Sequence, residues 1–322
     1  MQFRNAVRQL KEISINSSDY INNVLYSRIK HINFLKMKKI GVIGKGFVGS
    51  AVAHGFSAAT GCEFEVFVYD KDPDKSVHSL DEVLHNSEFI FISVPTPSNQ
   101  DGTISLDILD SCLAEVDEKL ESIENSPVIL IRSTVVPGTT QNLQDKYSRL
   151  RLVFNPEFLT ERSAYFDFIS QTRYILGGDP SLTTLVADLY KERFGEYITV
   201  IETDFGSAEL IKYMCNTFFA TKVSFLNEMY QLSERLNLDW TKVMEGFVSD
   251  GRVGNSHVNV PGHDGKLGFG GSCFPKDIQA LISFGDLHEI NLNVLKGAWN
   301  TNLMVRPEKD WEDLKGRSVV ED

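Results

Sequence analysis

Seven short apolar runs alternate with helical patterns between Lys38 and Thr203, and these runs are rich in β-branched and aromatic residues. Runs that are apolar at consecutive positions indicate strands buried on both faces. Strands that alternate with helices indicate a sheet covered by helices on both sides. The pattern therefore predicts an α/β fold with a doubly wound, mostly parallel sheet. Its predicted strands are KKIGVIG, EFEVFVYD, EFIFISV, PVILIRS, LRLVFN, RYILGG and YITVIE.

The strand pattern stops after Thr203, and the segment SAELIKYMCNTFFATKVSFLNEMYQLSERL is typical of one long helix capped by Asp204 or Ser207. This helix is apolar on more than one side, so we expect it to be buried widely, against its own domain and against a second subunit. The apolar residues are Met214, Phe218, Phe219, Val223, Phe225 and Leu226. A glycine-rich loop over 251–271 and a helix over roughly 276–284 follow, which predicts an all-helical second domain.

These patterns divide the chain into four parts: a basic N-terminal extension (1–37), the sheet domain (38–203), a helical central and dimerisation domain (204–305), and a C-terminal tail (306–322). Lysine and arginine outnumber Glu12 and Asp19 in the extension, as in a targeting or contact arm. An upstream segment without chemistry is the favoured interpretation, because Met37 directly precedes the fold and could itself be a start.

Composition narrows the class of protein. With 322 residues, 42% apolar and 24% charged, the chain is typical of a folded protein of about two domains. A net charge of −12 argues against nucleic acid or an anionic membrane as a partner. No apolar run approaches the roughly 18 residues that span a bilayer, and the four cysteines form no zinc or disulfide pattern. We therefore expect a cytoplasmic protein without a metal site.

The segment GKGFVG at 44–49 closes the first strand and opens a helix, and Asp70 ends the second strand about 20 residues later. Gly44 makes the tight turn, Gly46 lets the backbone approach a pyrophosphate, and Gly49 lets helix and strand pack closely. Free N–H groups at the helix start would hold the phosphates. Asp70 would accept the ribose hydroxyls and repel a 2′-phosphate, so this Rossmann pattern predicts NAD and not NADP. Lys75 either reaches the same ribose or is a solvated surface lysine.

A cysteine, Cys273, follows a run of glycines and precedes Asp277 by four residues. A helix opening at Pro275 would place this thiol at its positive end, which favours the reactive thiolate. A single cysteine is more often a small buried apolar residue. However, Lys212 and Asn216 are four residues apart on the long helix, so they share a face, where an ammonium and an amide could stabilise an alkoxide. The alternatives for these two are an exposed lysine and a satisfied interior amide.

Two more polar stretches follow strands, at the sheet edge where such folds bind ligands. Ser133 and Thr134 follow VILIR, and NPEFLTE follows LRLVF. Glu157 could act as a base on water and Thr134 could orient that water. The alternatives are helix capping by Thr134 and a surface carboxylate at Glu157.

Taken together, these segments resemble the UDP-glucose/GDP-mannose dehydrogenase family over about residues 38–300. Six motifs carry the resemblance, in the family's order: GKGFVG (44–49), SVPTP (93–97), RSTVVPGTT (132–140), NPEFLTE (155–161), KYMCN (212–216) and GFGGSCFPKD (268–277). The segments GR (251–252), VPGHDGK (260–266) and GFGGSCFPKD are more similar to the branch that acts on UDP-glucose than to the branch that acts on N-acetylated sugars. The GDP-mannose enzymes remain close.

The resemblance implies roles for the matching residues. It implies Cys273 as nucleophile, Lys212 and Asn216 as stabilisers of the reacting oxygen, Asp277 as polar partner of the reacting water or alcohol, and Thr134 with Glu157 at the hydrolytic water. The implied cofactor-binding residues are Gly44, Gly46, Phe47, Val48, Gly49, Asp70, Lys75, Pro95, Thr96, Ser133, Thr134 and Glu161. The implied substrate-binding residues are Phe158, Leu159, Glu161, Lys212, Asn216, Arg252, Phe269 and Gly270.

The implied reaction takes a primary alcohol of a nucleotide sugar to a carboxylate. The alcohol is oxidised to an aldehyde, Cys273 traps it as a thiohemiacetal, and a second oxidation gives a thioester that water cleaves. Two NAD are consumed for each sugar. The resemblance also implies a homodimer built on the long helix, in which Arg252 reaches the neighbouring subunit's sugar.

Members of this family continue into a third domain that grips the substrate's nucleotide, whereas this sequence ends at Asp322 in DLKGRSVVED, which resembles the linker and first strand of that domain. Three alternatives stay open for the missing part: a separate chain supplies it, it was removed from this sequence, or it was lost together with the activity. Two other functions stay open: a one-step dehydrogenase of the hydroxyacid type, which needs no thiol, and a non-catalytic NAD-binding remnant.

Overall fold

The computed structural model describes residues 38–121 and 126–321, so the predicted basic extension lies outside the described residues. Each of the seven predicted runs contains a strand. The strands are β1 Lys39–Ile43, β2 Glu65–Tyr69, β3 Phe89–Ile92, β4 Val128–Ile131, β5 Arg151–Phe154, β6 Arg173–Gly178 and β7 Thr199–Thr203.

The seven strands form one sheet in the order β2-β1-β3-β4-β5-β6-β7. Neighbouring strands are parallel except β5 and β6, so β6 and β7 run opposite to the other five. The prediction of a mostly parallel sheet is thereby confirmed. The direction of winding reverses between β1 and β3, and open α/β sheets bind their ligands at the carboxyl ends of the strands at such a point.

Helices cover both faces of the sheet, which makes it doubly wound. One apolar core includes residues from the helices that follow β2, β3 and β4 and from the long helix after β7. A second core, on the other face, includes residues from the helices that follow β1, β5 and β6. The helices that connect the strands are α1 Phe47–Gly55, α2 Leu80–Asn86, α3 Asp107–Leu120, α4 Thr139–Lys146, α5 Ala164–Ser170 and α6 Pro180–Phe194.

The rest of the described chain is helical, as the sequence predicts. Its helices are α7 Phe205–Arg235, α8 Trp240–Val248, α9 Phe274–Leu287 and α10 Asn293–Val305. Asp204 caps α7, because its side chain accepts the N–H of Ser207 at 2.8 Å. A third apolar core joins α7, α9 and α10 through Ala220, Ile278 and Ala298. None of the described helices has the length and apolar character needed to cross a membrane.

The long helix α7 is buried on one side and bare on another. Val223 and Leu226 are buried, as expected, whereas the side chains of Met214, Phe218 and Phe225 are 59%, 65% and 47% exposed in the single chain. The described residues thus show one side of this helix buried against its own domain, and burial of the other side against a second subunit stays a prediction.

The C-terminal residues fold back onto the sheet domain. Trp311 is buried. Residues 314–321, which come shortly after it, lie against the loop after β3. There the N–H of Ser98 donates to the carbonyl of Ser318 at 2.9 Å, and the N–H of Val320 donates to the carbonyl of Ser98 at 3.0 Å. We call residues 314–321 the tail segment.

Candidate active site

A cavity of about 800 Å³ opens at the carboxyl ends of β1, β3 and β4 and extends to the start of α9. It thus lies at the point where the direction of winding reverses. Most of the predicted cofactor residues line it, namely Gly44, Gly46, Phe47, Val48, Asp70, Lys75, Pro95, Thr96, Ser133, Thr134 and Glu161. The predicted catalytic residues Glu157 and Cys273 also line this cavity.

The three glycines of the first loop serve different purposes. Gly44 has a φ of +90°, and a Cβ there would lie 2.6 Å from the carbonyl oxygen of Ser93. A Cβ at Gly46 would meet nothing within 4 Å, so this position faces open space. Gly49 does not line the cavity; a Cβ there would lie 1.9 Å from the carbonyl oxygen of Gly44. The sequence-based roles of tight turn, open approach and close packing agree with this geometry.

The start of α1 suits a diphosphate. Gly46 is the N-cap and has no side chain to occupy the first N–H groups, which leaves these donors and the positive end of the helix for an anion. Asp70 sits at the end of β2, and its carboxylate accepts the N–H of Asp72 at 2.8 Å and the N–H of Lys45. A fixed carboxylate beside an uncapped helix start fits the ribose and diphosphate of a dinucleotide. Lys75 pairs with Asp72 at 3.0 Å.

Lys212 and Glu157 form a buried ion pair beside this cavity. The Lys212 ammonium donates to Glu157 Oε1 at 2.9 Å and also to the Glu157 carbonyl. Glu157 Oε2 accepts the N–H of Leu159 at 2.6 Å. Burial raises the pKa of Glu157, but the Lys212 ammonium, the N–H of Leu159 and the charge of Arg132 together outweigh it, and the pKa lies below its usual value. Burial lowers the pKa of Lys212, and the negative charges of Glu157 and Asp277 raise it above its usual value. Both groups are therefore charged at neutral pH.

A second polar cluster joins α7 to α9. Asn216 Nδ2 donates to Asp277 Oδ2 at 2.6 Å, and the Lys276 ammonium donates to the other carboxylate oxygen, Asp277 Oδ1, at 2.5 Å. Lys212 and Asn216 thus face neighbouring polar groups, but neither of them, nor Asp277, lines the cavity. Their entry into one pocket with Cys273 stays a prediction. Sequence reasoning missed Lys276, which lines the cavity; its signal was its place next to Asp277 in the first turn of a helix.

Cys273 is the N-cap residue of α9 and lies at the cavity wall. Burial, followed by the negative charges of Glu157 and Asp277, raises the pKa of the Cys273 thiol to about 11, while Lys212 and Lys276 oppose this rise. At neutral pH the resting group is therefore a thiol. Lys212 and Cys273 are close enough for each to shift the pKa of the other, so the thiol and the amine share one environment.

The remaining predicted substrate residues lie outside the cavity wall. Phe158 lies near two cations, with Lys212 Nζ 5.3 Å and Arg173 Cζ 4.7 Å from its ring centroid. Leu159 packs against the core on the α1 face of the sheet. Arg252 is 91% exposed and pairs with Asp250.

Phe269 and Gly270 belong to the packing of the helical part. Phe269 is buried in the third core, and a Cβ at Gly270 would lie 2.6 Å from a guanidinium nitrogen of Arg306. Contact of Phe158, Leu159, Arg252, Phe269 and Gly270 with a substrate stays a prediction.

The sequence matches the models of one family in both parts of the fold. Residues 75–194 match the NAD-binding domain of the UDP-glucose/GDP-mannose dehydrogenase family, and residues 206–303 match that family's central domain. Together these matches span more than half of the chain. Residues 4–116 also match the NAD-binding domain of the D-isomer specific 2-hydroxyacid dehydrogenases.

Individual relatives agree. The chain is 34% identical over 250 residues to the UDP-glucose 6-dehydrogenase of Rickettsia felis, covering 74% of this chain and 54% of that protein. It is 30% identical over 300 residues to the UDP-glucose 6-dehydrogenase TuaD of Bacillus subtilis, covering 83% and 63%. It is similar in structure to a UDP-glucose dehydrogenase of Pyrobaculum islandicum, with a TM-score of 0.74, 28% identity and coverage of 84% and 68%. The chain thus spans a little over half to three fifths of these two curated relatives.

Proposed function

Because this chain belongs to the UDP-glucose/GDP-mannose dehydrogenase family, we propose that it oxidises the primary alcohol of a nucleotide sugar to a carboxylate in two steps, with NAD as cofactor and Cys273 as nucleophile. UDP-glucose is the proposed substrate, since the segments GR, VPGHDGK and GFGGSCFPKD are more similar to that branch than to the branch that acts on N-acetylated sugars, and the named relatives are UDP-glucose dehydrogenases. The observation that carries the proposal is one continuous cavity, which runs from the glycine loop of β1 to the thiol of Cys273.

The chain's own residues fit the cofactor. The uncapped start of α1 and Gly46 would hold the diphosphate, Asp70 would hold the adenosine ribose, and Pro95, Thr96, Ser133 and Thr134 line the way towards Cys273. When bound, NAD accepts the two electrons of each oxidation, so two NAD are consumed per sugar.

Lys212 and Asn216 would act on the oxygen of the reacting carbon. Because Lys212 is charged, it cannot take up a proton; it can stabilise negative charge that develops on the alcohol oxygen. Its counter-ion Glu157 keeps it charged although it is buried. Asn216 Nδ2 donates to Asp277, and this hydrogen bond fixes the orientation of the Asn216 amide.

Cys273 would trap the aldehyde. Its sulfur forms a bond to the aldehyde carbon and its proton passes to the aldehyde oxygen, which gives a thiohemiacetal. Oxidation of this adduct, with release of the hydroxyl proton, gives a thioester. Water then adds to the carbonyl carbon, the carbon–sulfur bond breaks, and the sulfur regains a proton. Thr134 and Glu157 line the cavity beside Cys273 and are the proposed partners of that water, with Asp277 at the second cluster.

The exposed face of α7 supports a homodimer. Leu210, Met214, Phe218, Phe225 and Leu232 are each more than 40% exposed and recur at four- and seven-residue intervals, so they form one apolar stripe. A second copy of this helix would bury that stripe. The proposed place of action of this dimer is the cytoplasm. Arg252 is exposed in the single chain, which leaves it accessible to a neighbouring subunit.

Replacement of the thiol tests the proposal. We expect Cys273→Ser to bind NAD as the unaltered chain does but to lose more than about 1,000-fold in kcat for acid formation, and to release at most one NADH per sugar. Cys62→Ser is the control, since Cys62 does not line the cavity. The assay mixes the purified chain with UDP-glucose and NAD and follows NADH absorbance and the acid formed.

Two other results would contradict the proposal. Normal turnover by Cys273→Ser would favour a one-step dehydrogenase, which the match to the 2-hydroxyacid enzymes makes the nearest rival. Intact NAD binding with no NADH from the unaltered chain, alone or with a third-domain chain added, would favour a non-catalytic remnant.

A further inference from the structure

The tail segment borders the cofactor cavity through Arg317. The two hydrogen bonds between Ser98 and residues 318 and 320 attach it to the loop that carries Pro95 and Thr96, which line the cavity. Ser318 is 1% exposed, so the attachment is buried at its centre. The tail segment is therefore held next to the cavity, and its residue Arg317 lines the cavity wall.

Arg317 is the residue through which the tail segment reaches the cavity. Its guanidinium donates to Glu161 at 2.8 Å, and its Cζ lies 5.9 Å from the centroid of the Phe47 ring. Phe47 is the first residue of α1, directly after Gly46. The cavity is lined by all three of these residues, Arg317, Glu161 and Phe47. A cation thus stands beside the uncapped helix start.

The present partner of Arg317 holds it weakly. The two side chains are 45% and 52% exposed, and exposed ion pairs contribute little because water screens the two charges. A diphosphate carries more negative charge than one carboxylate, and a guanidinium binds phosphate oxygens in a two-pronged geometry. Exchange of Glu161 for a diphosphate is therefore favourable for Arg317.

We propose that Arg317 is a cofactor-binding residue that contacts the diphosphate of the dinucleotide from the tail segment, opposite the N–H groups of α1. This rests on the proposed function, because it requires that the cavity holds NAD. The tail segment then contributes directly to cofactor affinity.

Binding measurements separate the diphosphate from the rest of the cofactor. We would titrate NAD, ADP-ribose, adenosine and UDP into the full chain by calorimetry, with Arg317→Gln, Arg317→Lys and the control Arg149→Gln. Arg149 is a comparably exposed arginine that pairs with Asp117 and Glu121 away from the cavity. The melting temperature without ligand verifies that each variant is folded.

We expect Arg317→Gln to weaken NAD and ADP-ribose by about 5- to 20-fold and to leave adenosine unchanged, because only the first two carry the diphosphate. We expect Arg317→Lys to lose less than Arg317→Gln, because it keeps the charge, and Arg149→Gln to bind like the unaltered chain. The affinity of the unaltered chain for ADP-ribose should fall more steeply with salt than that of Arg317→Gln.

Three results would overturn the inference: equal binding of ADP-ribose by Arg317→Gln and the unaltered chain, an equal loss for adenosine, or a loss confined to UDP, which would assign Arg317 to the substrate's diphosphate. Failure of the unaltered chain to bind NAD or ADP-ribose would instead contradict the proposed function, and this inference with it.

Discussion

At the scale of single residues, the charges around Cys273 are arranged in two buried pairs. Lys212 is joined to Glu157, and Lys276 to Asp277, with side chains that are each less than 10% exposed. Each ammonium compensates one carboxylate, so neither pair leaves a bare charge in the protein interior. The thiol thus lies among charges that balance without it, which is consistent with a resting proton on the sulfur.

The Lys212–Glu157 pair gives a prediction about stability. Glu157→Gln leaves a buried ammonium without its counter-ion, so we expect the free energy of unfolding to fall by about 3–5 kcal/mol. Lys212→Met should cost a similar amount, and the double variant less than the sum of the two. Urea unfolding measures all three. In the exposed pair of Lys242 with Glu245, Lys242→Met should cost less than about 1 kcal/mol. A loss for Glu157→Gln as small as that control would show that the pair is not needed.

Sequence reasoning found Lys212, Asn216 and Cys273 because helical spacing and a glycine-rich loop are visible along the chain. It did not identify Glu157 as the partner of Lys212, since the two are 55 positions apart and meet only through the packing of α7 against β5. Arg317 left no signal for the same reason, because it reaches Glu161 from 156 positions away.

At the scale of elements, one carboxylate links the long helix to the sheet domain. Glu209 of α7 is fully buried and accepts the N–H groups of Gly138 and Thr140, at 2.6 and 2.7 Å, where α4 begins. It thus caps one helix from another. Burial outweighs these hydrogen bonds, with a further small contribution from Asp204, and raises the pKa of Glu209 to about 7.

This carboxylate predicts a pH dependence of stability. The pKa of Glu209 is higher in the folded state than in the unfolded chain, so the folded state binds the proton more tightly. Its stabilising contribution is complete below about pH 4.5 and is lost as the pH rises through about 7. Relative to Glu209→Gln, the unaltered chain should therefore lose up to about 3 kcal/mol between pH 4.5 and 8.

Unfolding by urea at several pH values measures this difference, and the two proteins are compared because their other titrating groups are the same. A difference that stays constant over this range, or grows with pH, would contradict the raised pKa.

The sequence predicted every strand of the sheet but not the reversal between β5 and β6. A strand buried on both faces reads as a continuous apolar run whether its neighbours are parallel or antiparallel, so its direction is set by pairing alone. Here only two residue pairs, Val153 with Gly178 and Phe154 with Gly177, join the two directions. The position of the cavity was predictable because the first five strands are parallel.

At the scale of the whole molecule, the exposed stripe of α7 predicts the oligomeric state. Phe218 is 65% exposed and lies near the middle of the helix, so a dimer would bury it. We expect Phe218→Glu to weaken dimerisation about 100-fold, or about 2.7 kcal/mol, because two carboxylates would be forced into an apolar contact. Sedimentation velocity over a range of concentrations measures this.

Tyr197→Glu is the control for this prediction, since Tyr197 is a fully exposed aromatic residue outside α7. A monomeric unaltered chain, or equal dimerisation of the two variants, would contradict a dimer built on this stripe.

The sequence predicted that α7 is buried against its own domain and against a second subunit, and the structure of one chain shows which side its own domain leaves exposed. A single sequence cannot show that side, because the helix is apolar around much of its circumference and only the positions of α9 and α10 decide which residues are covered. A single sequence likewise cannot show the contact proposed for Arg252, because that contact lies on another subunit.

The close approach at Gly49 limits which residues evolution can accept at this position. With 1.9 Å between a hypothetical Cβ and the carbonyl oxygen of Gly44, even alanine would force the chain apart. A lineage that replaces the glycine at position 49 has to rebuild the turn itself.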